Sequence, residues 1–282
     1  MTEQRADVPG GHLVWEGFGS ADDPVVLLIA GQCQSMTWWD EELCRRLAAA
    51  GRFVVRYDHR DTGRSSTDPV GRPTYTGRDL VLDPLRLLDS IGARQAHVVG
   101  LSAGGGIAQV LALAHPDRLA SLTLVDTSPA TAIARKELPP PEPALLRTFE
   151  DPEPAPDWSD RDAVIDYRVA IERPYAGAGG LDEERYRRLA VEEVDRSKDM
   201  EVTLTNHPLV DGWAPVGSIE QIAVPTLVLH GTADPLFPLA HGEALRDAIP
   251  GARLVALEGG GNQQPPPALW DLTVGELAAH TA

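Results

Sequence analysis

A serine at position 102 stands inside Gly100-Leu101-Ser102-Ala103-Gly104, directly after the apolar run Ala96-His97-Val98-Val99 and ahead of Ile107, Val110, Leu111 and Ala114 at helical spacing. This pattern predicts a buried strand that breaks into a helix at the serine, a nucleophile elbow that lifts a hydroxyl clear of the backbone for attack on a carbonyl. Gly100 and Gly104 suit such a turn, because the serine backbone is strained and its neighbours need room. The competing reading is a glycine-rich turn with an incidental serine. A serine hydroxyl is a poor nucleophile at neutral pH, so the chemistry needs a base, an acid to orient that base, and donors for the oxyanion.

The acid is expected at Asp234. The run Val224-Pro225-Thr226-Leu227-Val228-Leu229-His230-Gly231-Thr232-Ala233-Asp234-Pro235 puts it in a loop just past a predicted strand. Asp234 could equally cap the next helix or shape the turn before Pro235. Asp126, after the strand at residues 119–125, is the reserve acid. The elbow logic assigns the oxyanion donors to the amide after the nucleophile, Ala103, and to an amide in the loop opening Ala30-Gly31-Gln32-Cys33, for which Gln32 is chosen on position.

Placing these residues requires a sheet. Continuous apolar runs at residues 25–30, 53–57, 97–100, 119–125, 226–229 and 254–257 suggest strands covered on both faces, as in a mainly parallel sheet. Helical stretches at 40–50, 77–91, 103–115, 239–248 and 267–280 are long enough for crossovers. The alternation predicts an α/β fold, with residues 1–127 and 219–282 forming the core and 128–218 a helical cap inserted between strands. The cap begins proline-rich and acidic (Leu138-Pro139-Pro140-Pro141-Glu142-Pro143), so its first part also has a composition compatible with disorder. A cap over the carboxyl ends of the strands would cover the edge where ligands bind in open α/β sheets.

Composition narrows the function classes. Among 282 residues, 42 are acidic and 25 basic, a formal charge of −17 that argues against nucleic acid or an anionic membrane surface as partner. The two lysines, Lys136 and Lys198, sit in no recognisable site, which disfavours Schiff-base chemistry. Cys33 and Cys44 are too few for a disulfide framework, and the polar N-terminus lacks a signal core, so a cytoplasmic protein is expected. Neither a metal nor an organic cofactor is required by serine chemistry.

Several motifs together resemble the α/β-hydrolases, and more narrowly the aclacinomycin methylesterase group of carboxylic ester hydrolases. They are the elbow, the segment Arg56-Tyr57-Asp58-His59-Arg60-Asp61-Thr62-Gly63-Arg64-Ser65-Ser66, the helix end Ala114-His115-Pro116-Asp117-Arg118-Leu119, and the Asp234 loop. The similarity covers roughly residues 24–129 and 222–282. It implies a Ser-Asp-His site acting on an ester, in the founding group a methyl ester on a tailored aromatic polyketide.

The chain departs from the group where the histidine belongs. The loop reads Glu258-Gly259-Gly260-Gly261-Asn262-Gln263-Gln264, and Asn262 occupies the histidine's position. A carboxamide has no usable basicity at pH 7, and loss of a triad member removes on the order of 10⁴-fold in turnover. Impaired hydrolysis is therefore expected. His59, His97 and His115 match non-catalytic positions of the group, and His230, His241 and His280 are poorly placed, which leaves His207 in the cap as the reserve base. Two other readings remain: a lyase, cyclase or decarboxylase that uses the oxyanion hole without an acyl-enzyme, and a silent binding protein. The expected ligand is a small apolar or aromatic molecule, with Trp38, Trp39 and Trp213 either lining its pocket or packed in the core.

Overall fold

The computed structural model describes residues 3–130, 138–212 and 217–282. Its sheet has eight strands in the order β1-β2-β4-β3-β5-β6-β7-β8. They are β1 (Gln4–Val8), β2 (Gly11–Phe18), β3 (Val25–Ile29), β4 (Phe53–Tyr57), β5 (Ala96–Leu101), β6 (Leu119–Val125), β7 (Thr226–Gly231) and β8 (Arg253–Leu257). Strands β1, β2 and β4 pair antiparallel, and every pairing from β4 through β8 is parallel.

Alternation along each central strand feeds two cores. In β3, Leu27 and Ile29 enter the cluster on one face while Val26 and Leu28 enter the cluster on the other. Both faces are apolar because helices cover both, so the strands read as unbroken hydrophobic runs. One layer includes α2 (Gly77–Ser90) and α3 (Ala103–Ala114), the other α1 (Glu41–Ala49) and α9 (Trp270–His280), with α8 (Ala240–Ala248) joining the α2/α3 side.

The hairpin of β1 and β2 was not among the expected strands. Gln4–Val8 is short and mostly polar, and it buries only Ala6 and Val8. Its place comes from pairing with β2, whose Leu13 and Trp15 pack in the core.

Between β6 and β7 the described chain adds α4 (Pro143–Glu150), α5 (Arg161–Glu172), α6 (Glu183–Arg196) and α7 (Met200–Thr205), and no strand. Helices α5 and α6 share an apolar cluster of Ile165, Val169, Tyr186, Leu189 and Ala190 with Trp38. Polar ties dock them onto the core. The Glu193 carboxylate accepts from the Ser35 amide at 2.9 Å, and Arg196 forks onto Asp58 at 2.7 and 2.8 Å. Asp58 also accepts from the amides of Met36 and Arg64. The Asp58 segment thus orders the loop after β3 and anchors α6.

Candidate functional site

Ser102, Asp126, Asp234, Asn262 and Gln32 each follow the carboxyl end of a strand, namely β5, β6, β7, β8 and β3, which are neighbours in the sheet. A parallel sheet converges these loops along one edge, so residues far apart in sequence meet there.

Ser102 has φ 51° and ψ −117°, a backbone conformation that costs a non-glycine residue about 1–3 kcal/mol. The turn is held from both sides: the Ser102 amide donates to the Val125 carbonyl at 2.9 Å, and its carbonyl accepts from Gly105 and from the Thr127 hydroxyl. A Cβ on Gly104 would lie 2.5 Å from the carbonyl oxygens of Ile29 and Ala30, so α3 begins against β3 only because that side chain is absent. Among the described residues the Ser102 hydroxyl takes no hydrogen-bond partner and faces a cavity of about 270 Å³.

Gln32 lines the same cavity, and Ala103 follows Ser102 in the chain. In the loop after β3, the Gly31 amide donates to the Gln34 side chain and the Cys33 amide to His207 Nδ1, whereas the Gln32 amide has no partner among the described residues. The Ala103 amide, at the first position of α3, likewise has no acceptor, as expected of a helix N-terminus. Hydrogen bonding by its neighbours therefore leaves Gln32 as the free donor.

On the other wall, Asp234 is buried and divides its two oxygens. Oδ1 accepts from the Leu236 and Phe237 amides at 2.8 Å each, which shapes the turn, and Oδ2 accepts from Asn262 Nδ2 at 2.8 Å. Asn262 Nδ2 also donates to the Asp126 main-chain carbonyl at 2.8 Å, so both amide hydrogens are used and the carboxamide is clamped. Asp126, at φ 44°, turns its carboxylate to the Gly231 amide instead. Of the two acids, Asp234 is the one whose side chain meets position 262.

Burial pushes Asp234 up to about 7, against hydrogen bonds from Asn262 and the turn that pull it down. Asp126 is raised well above the usual carboxylate range by burial and then by the charge of Asp234. No cation offsets this pair among the described residues. His230 Nε2 lies 3.6 Å from Asp234, yet burial holds His230 down to about 4, so it is neutral at pH 7. Asp126, His230 and Asp234 offer ligand atoms within 4.8 Å of one another. His230 Nε2 donates to the Phe237 carbonyl at 2.7 Å, which takes that nitrogen out of use as a ligand and leaves the lone pair on Nδ1.

The eight histidines all lie outside the cavity lining. The reserve base His207 spends both ring nitrogens on the backbone: Nδ1 accepts from Cys33, and Nε2 donates to the Arg60 carbonyl at 2.7 Å. It shapes the loop that carries Gln32 and has no nitrogen left to take a proton from Ser102. Trp38 and Trp39 are fully buried in the core and do not line the cavity, while Trp213 and Lys136 lie outside the described residues.

The remaining walls come from the segment between β6 and β7: Tyr167, Arg168, Ile171 and Glu172 on α5, then Tyr175, Leu204 and Pro208. Arg168 is buried, bonded to Glu172 at 2.5 Å and Glu193 at 2.8 Å, with its guanidinium 4.1 Å over the Trp38 ring. The Asn262 loop is tied to the end of α5, because the Asn262 amide donates to the Tyr175 carbonyl and Gln263 Nε2 to the Glu172 carbonyl. Sequence reasoning missed Arg168 and Glu172. Their i, i+4 spacing looks like an ordinary solvated helix pair.

A model of the α/β hydrolase fold family matches residues 24–262. The chain is 35% identical to rhodomycin D methylesterase of Streptomyces sp. strain C5, over 94% of this chain and 93% of that one. It is 34% identical to the enzyme of the same name from Streptomyces peucetius, again over 94% and 93%. Among solved structures, the enol-lactonase of Burkholderia xenovorans LB400 superposes with a TM-score of 0.72 at 26% identity, covering 98% of this chain and 99% of that one. The strand order, the strained serine turn and these likenesses agree: the chain belongs to the α/β-hydrolase family, in the esterase group that holds the two rhodomycin D methylesterases.

Proposed function

We infer that the protein hydrolyses a small carboxylic ester, with a methyl ester as the candidate leaving group. Ser102 is the nucleophile, the Gln32 and Ala103 amides receive the oxyanion, and Asp234 is the acid that orients position 262. The observation that carries this reading is the free Ser102 hydroxyl on a strained turn, beside two amides without acceptors. Leu101, Ile171, Leu204, Pro208 and Leu236 with two tyrosines line the cavity, which supports an apolar or aromatic, polyketide-like substrate. Residues from both sides of β6 contribute, consistent with 128–218 acting as a cap over a core of 1–127 and 219–282.

Asn262 keeps one half of a histidine's work. Its Nδ2 donates to Asp234 as an imidazole N–H would, but the carboxamide cannot accept a proton from Ser102. Turnover should be slow. Asn262→His should raise kcat/KM on a small activated ester by about 10³-fold or more. No gain in a folded variant would sink the reading.

The clamped amide favours one second reading. A pocket that polarises a carbonyl and lacks a strong base also suits a lyase or decarboxylase, in which no acyl-enzyme forms. In that case Ser102→Ala would leave the natural reaction largely intact, and a fluorophosphonate probe labelling Ser102 would speak against it.

A further inference from the structure

Deepening the ester-hydrolase reading, on which it rests, we propose that Glu172 is the general base of this chain, exchanging protons with Ser102 through a water in the cavity. Glu172 lines the same 270 Å³ space as Ser102 and Asn262. It is 8% exposed, at the end of α5, and Arg168 holds its Oε1 while Oε2 takes no hydrogen bond among the described residues. Its carbonyl is bonded by Gln263, which seats it beside the loop where the family's histidine would stand.

The other ionisable groups lining the cavity cannot serve at neutral pH. Burial pushes the Cys33 thiol and the Tyr175 phenol each up to about 12, and raises Tyr167 above its ordinary range. Arg168 is a permanent cation spent on two carboxylates. A carboxylate is a weaker base than an imidazole, so the substitution predicts slow chemistry rather than none. Ser102 and Glu172 share no direct hydrogen bond, and transfer across one water is within the reach of general-base catalysis.

The protons balance without any co-reactant other than water. Glu172 takes the Ser102 proton through the bridging water as Oγ bonds to the ester carbonyl carbon, and the Gln32 and Ala103 amides hold the oxyanion. The carbon–oxygen bond to the alcohol then breaks, and the proton on Glu172 passes to the departing alkoxide. In the second half Glu172 takes a proton from water as its oxygen attacks the acyl carbon, the bond to Oγ breaks, and the proton returns to Ser102. The products are acid and alcohol.

The test is Glu172→Gln, which preserves an oxygen for Arg168, made in the natural chain and again with Asn262→His, and assayed on a p-nitrophenyl ester. In the natural chain kcat should fall about 100-fold with KM moving a few-fold, whereas in the Asn262→His background, where an imidazole supplies the base, the same change should cost at most a few-fold. Glu172→Asp in the natural chain should retain at least about a tenth of the rate, because it keeps the carboxylate. Equal losses in both backgrounds, no loss in the natural chain, an Asp variant as inactive as the Gln variant, or a natural chain without turnover beside an active Asn262→His enzyme would each overturn the assignment to Glu172. An inactive Asn262→His enzyme would instead overturn the ester-hydrolase reading beneath it.

Discussion

The two walls of the cavity are built to opposite specifications. The Ser102 side has a backbone at φ 51°, a glycine with no room for a Cβ and two amides without acceptors among the described residues, the features proposed to receive a developing negative charge. On the Asn262 side every polar hydrogen is spent: a neutral carboxamide bridges Asp234 and the Asp126 carbonyl, and two buried carboxyl groups face no cation among the described residues. The first wall stores strain for chemistry. The second holds two buried carboxyl groups whose ionisation is opposed by burial, with a neutral carboxamide between them. Under the proposed ester-hydrolase reading, the difference makes an oxyanion site and a proton relay separable parts of one active centre.

Removing the strained wall should have the largest effect. In an Asn262→His enzyme, Ser102→Ala should lower kcat by about 10³-fold or more, read on a p-nitrophenyl ester, and loss of phosphonate labelling should accompany it. Retention of most of the activity would mean that the serine wall is not where the bond is made.

Next in size is the close approach behind the elbow. Gly104→Ala drives a methyl group onto the carbonyls of Ile29 and Ala30, neither of which can swing aside. It should cost about 3 kcal/mol or more in urea unfolding, with activity lost in the surviving folded fraction. A neutral result would show that α3 can move away from β3.

The opposite wall should reveal itself through pH. Asp234 sits near 7 in the folded state against 3.8 in the unfolded chain, so the folded protein binds the extra proton between those values. The contribution of Asp234 to stability is then fully present below about pH 4 and is lost as pH rises toward 7, the reverse of a salt-bridged carboxylate. Asp126→Asn keeps an acceptor for the Gly231 amide and removes a second buried carboxyl group that holds its proton in the folded state. Melting temperatures across pH 5 to 8 should decline less steeply in that variant, and an unchanged slope would show that Asp126 does not hold a proton in the folded state.

The smallest effect is expected at His207. His207→Ala leaves the Cys33 amide and the Arg60 carbonyl without partners, a loss of about 1–3 kcal/mol in stability. Residual turnover of folded protein should fall only modestly, through the loop that carries Gln32. A collapse of activity at unchanged stability would restore His207 as a base.

Much of the fold was legible because central strands buried on both faces write continuous apolar runs, and the elbow writes its glycines at fixed offsets. The β1–β2 hairpin was not, since a polar edge strand acquires its place from its neighbour. Asp234 and Asn262 could be ranked from loops after strands, and the family resemblance gave Asn262 its meaning. Glu172 left no such mark. An acid four residues after an arginine reads as surface, and only the burial of α5 against Trp38 and α6 turns that pair into a cavity wall.

The sequence by itself determined the α/β alternation, the strained serine turn and the absence of a histidine at position 262, because each depends on local residue types and their spacing. The tertiary structure decided which Asp faces Asn262, which amide of the β3 loop is free, that both nitrogens of His207 are occupied, and that Glu172 borders the cavity. Those outcomes turn on hydrogen bonds between segments as much as 174 residues apart, and a parallel sheet that gathers its loops at one edge is what brings such segments together.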